Sequence, residues 1–335
     1  MVGSYSQPDW LVYKDRLVKN LPPRVRAEDI WRIPLDLLRS AQDDATRLAI
    51  KDMEETGLDI ITDGEIRRES YSNRFATALE GIDIDNVGQM KDRTGKMHAV
   101  PRVVGPIRRK YPVQVEDARF LVANTKRLTM LSVPGPFTMS QQAQNDYYPS
   151  DADMALAYAE AINAEIRDLH EAGVDIVIID EPYMEARPEA ARQYGVAALK
   201  KAIEGVRGKT AVHICFGYGQ KVANKPDQYH FLTEMKDVPC DRISIETAQS
   251  GLDCSVLKAL PDHNIMLGVL NLGTHDIDTV DEIVARVERA LPYIDKERVI
   301  LAPDCGLKYI PREQAFGKLR NMCVAAERLR EKYAG

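Results

Sequence analysis

The sequence predicts an α/β protein, built as a (β/α)8 TIM barrel with long loop insertions. Short apolar, β-branched runs alternate with amphipathic helical patterns along the chain, which is typical of parallel β/α units. The length of 335 residues fits one such barrel. Metal-ligand residue types also recur at the ends of the runs, where barrels place their active sites. A doubly wound open sheet is the alternative fold, but no glycine-rich dinucleotide fingerprint follows the first run.

Eight apolar runs are predicted to be strands. They are a stub at Val2-Gly3-Ser4 and residues 59–63, 127–132, 175–180, 210–215, 242–246, 265–269 and 299–303. Helical periodicity between them predicts helices over residues 37–55, 151–172, 188–206, 280–291 and 312–332. Gly57 and Gly173 each precede a strand, as expected for glycines that end helices in the left-handed conformation.

The whole chain, 1–335, is predicted to be a single catalytic barrel. Two stretches are too long to be simple connections. Residues 82–116 alternate polar and apolar side chains and predict a strand-rich excursion. Residues 216–240 follow the run at 210–215, and we expect them to act as a lid or substrate wall.

The overall composition excludes several classes of partner. A net charge of −6 argues against nucleic acid or an anionic membrane as the main partner. No apolar run approaches the roughly 18–20 residues that cross a bilayer. The five cysteines are odd in number and widely scattered, which predicts reduced thiols and a cytoplasmic location.

Imidazole, thiolate and carboxylate groups occur at the ends of three predicted strands. His213 and Cys215 are two residues apart on one strand and therefore face the same side. Glu246 ends the next strand, and Cys305 follows the last one. These are the ligand types that zinc prefers, so the sequence predicts a zinc ion in the mouth of the barrel. The alternative is that His213 and Cys215 are ordinary core residues.

Acidic residues occur at two other strand ends. Asp63-Gly64-Glu65 follows the second predicted strand and Asp180-Glu181 the fourth. Buried acids are costly unless they bind a cation or an ammonium group. A substrate with an amino group would account for them, whereas surface exposure of either pair is the alternative.

These motifs together resemble the catalytic barrel of cobalamin-independent methionine synthase over nearly the whole chain. The resemblance rests on Gly3-Ser4-Tyr5, Asp63-Gly64-Glu65, Pro134-Gly135-Pro136, Asp180-Glu181-Pro182, His213-Ile214-Cys215, Ser244-Ile245-Glu246 and the run from Pro303 to Lys308. It implies the same barrel fold and assigns two sets of residues. His213, Cys215, Glu246 and Cys305 would ligate a catalytic zinc, and Ser4, Glu65 and Asp180 would hold the amino-acid part of homocysteine.

Two departures from that family bear on the methyl donor. The chain has room for one barrel, whereas the full-length enzymes carry a second that helps to bind folate polyglutamate. The family's histidine after the seventh strand aligns with Gly273, and His275 lies two residues further on. The resemblance to short single-barrel relatives therefore favours a methylcorrinoid, a corrinoid protein or another methyl carrier as the donor, rather than methylfolate polyglutamate.

The sequence thus predicts a zinc-dependent methyltransferase that converts homocysteine to methionine. The main alternative is a zinc-dependent alkyltransferase or C–S lyase acting on another small thiol, such as coenzyme M. A non-catalytic zinc protein is a further alternative, and a barrel like uroporphyrinogen decarboxylase is a more distant one.

Overall fold

Two β-sheets organise the part of the chain described by this computed structural model, which comprises residues 1–19, 24–92, 95–218 and 225–334. Their strands are β1 (Ile60–Ile61), β2 (Glu80–Lys91), β3 (Met97–Arg108), β4 (Leu128–Pro134), β5 (Gln144–Asn145), β6 (Ile176–Asp180), β7 (Lys209–Ile214), β8 (Arg242–Glu246), β9 (Asn264–Leu270) and β10 (Val299–Pro303). Seven strands form a curled parallel sheet in the order β1-β4-β6-β7-β8-β9-β10, and β2, β3 and β5 form the second sheet.

Helices lie between most strands of the parallel sheet, and others precede β1 and follow β10. They are α1 (Lys14–Lys19), α2 (Leu35–Thr56), α3 (Asn73–Ala76), α4 (Val115–Ala123), α5 (Pro136–Ser140), α6 (Asp151–Glu171), α7 (Pro182–Ala186), α8 (Pro188–Ala190), α9 (Val196–Ile203), α10 (Val280–Ala290) and α11 (Arg312–Lys332). A π-helical turn joins α8 to α9, so the helix predicted at 188–206 is built from three pieces. Ser150 caps α6 and Thr279 forms a capping box on α10. Within the described ranges, no helix has the length and apolarity to cross a bilayer.

The inner face of the parallel sheet is filled by one layer of apolar side chains. Its buried members are Val2, Met130, Ile176, Ile178, Ala211, Met266 and Ala302. Strands buried on both faces read as continuous β-branched runs, as β6 does, and this is why the sequence predicted them well.

The predicted first strand is the one that the structure does not contain. Residues 2–4 have no strand assignment, because Gly3 takes the left-handed conformation with φ of 62°. The segment still lies between the two ends of the sheet. Tyr5 N–H donates to Gly64 O at 2.9 Å on the β1 side, and Leu307 N–H donates to Ser4 O at 2.6 Å on the β10 side. The described sheet therefore has seven strands, not the eight expected.

A long hairpin occupies the predicted excursion at 82–116. Strands β2 and β3 pair antiparallel, and β3 adds the short parallel strand β5. The ladder shifts register between Asp83 and Gly88, where Asp83 bonds the amides of residues 85 and 86. Arg187 donates to Lys91 O at 2.8 Å, so the hairpin is tied to the segment that follows β6. The last residues of the excursion belong to α4 rather than to a strand.

Candidate metal and substrate site

The carboxyl ends of the parallel strands bring most of the predicted site residues to one edge of the sheet. Asp180 ends β6 and pairs in register with His213 on β7, which in turn pairs with Ser244 on β8. Cys215 follows β7 directly, and Cys305 follows β10. All of these side chains are buried. The parallel arrangement therefore brings the imidazole, the Cys215 thiol and one acid to neighbouring strand ends, and the curl of the sheet brings Cys305 from β10 to the same group.

Three of the four predicted zinc ligands form a tight group. The possible ligand atoms of His213, Cys215 and Cys305 all lie within 4.8 Å of one another. The two sulfur atoms are 3.9 Å apart. Tetrahedral zinc with Zn–S bonds of about 2.3 Å requires a sulfur–sulfur distance of about 3.8 Å. The sulfur pair therefore already has the separation that a zinc ion needs.

His213 is oriented for metal binding by its neighbour on β8. Its Nδ1 is 2.9 Å from the Ser244 hydroxyl, and its buried Nε2 has no hydrogen-bond partner among the described residues. Histidine ligands regularly bind the metal through one ring nitrogen and form a hydrogen bond that fixes the ring through the other. Burial works against a charged ring, but the nearby Cys215 sulfur raises the pKa of His213 to about 9. Hydrogen bonding to Cys215 and burial raise the pKa of Cys305 well above its usual value. A divalent cation would reverse both preferences.

Glu246, the fourth predicted ligand, lies outside this group. Its Oε1 accepts the Phe216 N–H at 3.0 Å, and its Oε2 contacts the Lys225 ammonium group. Neither the Glu246 nor the Lys225 side chain has any exposed surface. Burial raises the pKa of Glu246 to about 8, although Lys225 acts in the opposite direction. Sequence reasoning missed Lys225, because nothing in the pattern links a lysine in a long loop to an acid on the next strand.

Two carboxylates with unpaired oxygens lie on either side of β4, one just after β1 and one at the end of β6. Glu65 Oε1 accepts the Ser132 hydroxyl at 2.8 Å, whereas Glu65 Oε2 and Asp180 Oδ1 have no hydrogen-bond partner among the described residues. Burial, followed by the charge of Glu65, raises the pKa of Asp180 to about 8. Arg68 donates to Ser132 and to Asp63 and brings a buried positive charge to this side of the site. The two unpaired acceptors match the ammonium group of an amino acid.

The backbone at Glu65 is also unusual. Among the described residues other than glycine, it alone has a positive φ, 53°. Its N–H donates to Asp63 Oδ1 at 3.0 Å, which fixes the turn. Strained backbone of this kind persists where the surroundings enforce it, and it is concentrated at functional sites. The Asp63 carboxylate therefore positions Glu65 through its backbone.

Ser4 reaches the same edge through a close approach of two backbone segments. A side chain on Gly3 would meet the Gly306 backbone at 3.0 Å, and one on Gly306 would meet the Ser4 hydroxyl oxygen at 2.6 Å. The two glycines therefore allow Gly3-Ser4 to lie directly against Cys305-Gly306. This contact puts the Ser4 hydroxyl beside Gly306, the residue that follows the predicted zinc ligand Cys305.

Two other acids of the sequence motifs hold backbone segments next to the site by accepting their amide hydrogen bonds. Glu181 does not face the site, because its carboxylate accepts the Phe137 and Thr138 amides at 3.0 and 2.9 Å. Asp304 accepts the amides of residues 247–249 and so holds the loop that follows Glu246. His275 is exposed in the loop after β9. Of the predicted lid at 216–240, residues 219–224 lie outside the described residues, and Phe216 stacks on Tyr229 with centroids 4.4 Å apart.

Comparison with known proteins gives a consistent family. The family model for the catalytic domain of cobalamin-independent synthase matches residues 33–328. A methionine synthase from Sulfolobus acidocaldarius is 30% identical over 334 residues, which are 99% of this chain and 91% of that protein. One from Saccharolobus islandicus strain L.S.2.15 is 32% identical over 335 residues, with 99% and 94% covered.

Solved structures agree with the sequence comparison. A B12-independent methionine synthase from Shewanella sp. W3-18-1, in complex with selenomethionine, is 30% identical and has a TM-score of 0.90, covering 100% of this chain and 98% of that one. A methyltransferase from Methanosarcina mazei is similar in fold alone, at 16% identity and a TM-score of 0.63, with 98% and 94% of the two chains covered. The expected corrinoid donor finds no support here, because the matched family and the Shewanella protein are described as independent of cobalamin or B12.

Proposed function

The chain belongs to the cobalamin-independent synthase family, whose catalytic domain it contains, and from that premise we propose that it methylates the sulfur of homocysteine to give methionine. The observation that carries this proposal is the convergence of the His213–Cys215–Cys305 group with the unpaired oxygens of Glu65 and Asp180. The His213–Cys215–Cys305 group suits a metal that activates a thiol, and the two unpaired carboxylate oxygens suit the ammonium group of an amino acid. The structure of the Shewanella relative was solved in complex with selenomethionine, the selenium analogue of the proposed product.

Zinc is the metal that we propose for this site. His213, Cys215 and Cys305 would hold it, and Glu246 would be a fourth ligand for part of the cycle. Zinc in such a site deprotonates a thiol and holds it as a nucleophile at neutral pH. Cys215 and Cys305 must remain reduced to bind the metal, which a reducing compartment favours, so we place the reaction in the cytoplasm.

The protein's own residues would bind and orient the substrate. Glu65 Oε2 and Asp180 Oδ1 would accept hydrogen bonds from the ammonium group, and the Ser4 hydroxyl would donate to the carboxylate. Arg68 keeps part of the acidic charge balanced through Asp63 and Ser132. Fixing the ammonium and carboxylate groups of homocysteine would direct its sulfur toward the metal site, and this orientation would supply much of the rate enhancement. Coenzyme M has no ammonium group and would leave both acids unpaired, which argues against that alternative.

We also propose that residues 2–4 occupy the eighth strand position of a (β/α)8 barrel and so close the sheet. Val2 belongs to the inner apolar layer, and the segment bonds to both ends of the seven-stranded sheet. The missing strand assignment follows from the turn at Gly3 rather than from a gap in packing.

The central test combines metal analysis with a comparison of two thiols. Purified protein should contain about one zinc per chain and should methylate homocysteine with at least one donor among methylfolates, methylcobalamin and methylated thiols. Glu65→Gln and Asp180→Asn should each raise the KM for homocysteine about tenfold or more, which corresponds to the loss of one charged hydrogen bond.

A matched substrate separates amino-acid recognition from general damage. 4-Mercaptobutanoate is homocysteine without its amino group, so both variants should use it as poorly as the unaltered enzyme does. An unchanged KM for homocysteine in both variants would refute the amino-acid assignment. Zinc-loaded protein that methylates no thiol with any donor would refute the methyltransferase proposal and favour the lyase alternative.

A further inference from the structure

A lysine whose side chain has no exposed surface binds the carboxylate of a proposed zinc ligand. The Lys225 ammonium group contacts Glu246 Oε2, and Phe216 N–H donates to the other carboxylate oxygen at 3.0 Å. Both oxygens of Glu246 therefore have partners, and the ligand atoms of His213, Cys215 and Cys305 lie together without it. The backbone at Glu246 is held as well, since its N–H donates to the Tyr229 hydroxyl at 2.9 Å.

We propose that Lys225 is a positioning residue whose ammonium group forms an ion pair with the Glu246 carboxylate whenever that carboxylate is not a metal ligand. This inference rests on the zinc site proposed above. Two thiolates already balance the charge of a zinc ion, so a carboxylate and then a substrate thiolate would each add one uncompensated negative charge to a buried site. Lys225 compensates the carboxylate and so allows Glu246 to leave the metal while it remains buried.

The proposal predicts opposite effects on metal and substrate. In Lys225→Met, Glu246 loses its charged partner and keeps only the Phe216 N–H, so the substrate-free protein should bind zinc about tenfold more tightly. The same variant has lost the cation that compensates Glu246 when a substrate thiolate binds, so the zinc-loaded protein should bind homocysteine about tenfold more weakly. Zinc affinity is measured by competition with a chromophoric chelator, and homocysteine binding by the visible spectrum of the cobalt-substituted protein.

Matched variants separate this role from simple stabilisation. Lys318 is also a fully buried lysine paired with an acid, Asp278, away from the proposed ligands. Lys318→Met should leave zinc affinity unchanged, whereas Lys225→Arg should preserve the behaviour of the unaltered protein. If Lys225→Met does not fold, Lys225→Gln, which removes the charge but retains a polar side chain, carries the same prediction.

A double-mutant comparison makes the test specific to the pair. In a Glu246→Gln background, Lys225→Met should no longer change zinc affinity, because there is no carboxylate to compete for. An unaltered zinc affinity in folded Lys225→Met, or the same gain in the Glu246→Gln background, would overturn the inference. Both results leave the proposed function intact, provided that the unaltered protein binds zinc and methylates homocysteine. Absence of zinc binding in the unaltered protein would instead count against the proposed function.

Discussion

Asp180 and Glu181 are adjacent in the chain, yet their carboxylates face different surroundings. Asp180 Oδ1 is unpaired at the edge of the site, whereas Glu181 accepts two amides and the Thr138 hydroxyl at the start of α5. Successive side chains on an extended segment point to opposite sides, which separates the two roles. At the scale of single residues, a pair of acids in a motif therefore contains one candidate for substrate binding and one structural group.

The buried Lys308 gives a stability prediction with a definite sign. Burial lowers its pKa to about 8, although Glu65 and Glu69 act in the opposite direction, and its ammonium group donates to the carbonyls of residues 68 and 69. Between about pH 8 and the ordinary value of 10.5, the unfolded chain binds a proton that the folded protein has lost. The free energy of unfolding, relative to Lys308→Met, should therefore rise by about 1 kcal/mol per pH unit across that range.

Urea unfolding at a series of pH values checks this result. The exposed Lys110 is the matched control, because Lys110→Met should change stability by an amount that hardly depends on pH. A difference between the unaltered protein and Lys308→Met that falls as the pH rises would contradict the assignment of Lys308 as a buried, weakened base.

The candidate site illustrates what residue patterns reveal and what they leave out. The spacing of His213 and Cys215 on one strand predicted their shared orientation, and the structure brings both to Cys305. The position of Glu246 at a strand end was also visible, but neither that pattern nor the family resemblance gave any hint of Lys225, because a contact between a loop lysine and a strand acid depends on tertiary folding. The number of acids at strand ends was likewise visible in the sequence, but their orientation was not.

At the scale of elements, one carboxylate links two strands and a helix. Glu181 follows β6 and bonds the first amides of α5, which itself follows β4 through Gly135. A side chain at Gly135 would overlap the Glu181 carboxylate, although the backbone there has an ordinary φ of −77°. The Pro134-Gly135-Pro136 turn is therefore constrained by space and not by backbone conformation.

Gly135→Ala should consequently lower the free energy of unfolding by about 2–3 kcal/mol, because it displaces Glu181 from its hydrogen bonds. Urea denaturation measures the loss. Gly105→Ala is the control, since the nearest atom to an added side chain there is Gly81 Cα at 3.6 Å. Equal stability of the two variants would show that Glu181 has room to move without cost.

Elements with strong patterns were predicted well, and those defined by neighbours were not. The seven strands of the parallel sheet contain buried apolar runs that the sequence pattern identifies, as in β6 and β9. Residues 2–4 are too few for their sequence to show whether they form a regular β-ladder with the adjacent strands or only single backbone hydrogen bonds. The excursion was recognised by its alternation, but its last turn is helical because Ala118 and Leu121 pack into the core.

At the scale of the whole molecule, packing of Val2 tests whether the first segment closes the sheet. Val2 has no exposed surface and shares the inner layer with residues from β4, β6, β7, β9 and β10. Val2→Ala should lower the free energy of unfolding by about 2 kcal/mol through the cavity that it leaves. Val104→Ala, at a position that is 46% exposed on the hairpin, should change it by about 0.5 kcal/mol or less. Equal effects of the two substitutions in urea unfolding would exclude Val2 from a closing role.

The contact between Gly3-Ser4 and Cys305-Gly306 has a consequence for biosynthesis. Nearly the whole polypeptide separates these two segments, so a ribosome must translate most of the message before they can meet. Contacts between such distant segments form late and slow the folding reaction. A nascent chain therefore carries His213 and Cys215 for some time before Cys305 emerges, and the proposed metal site is assembled only near the end of translation.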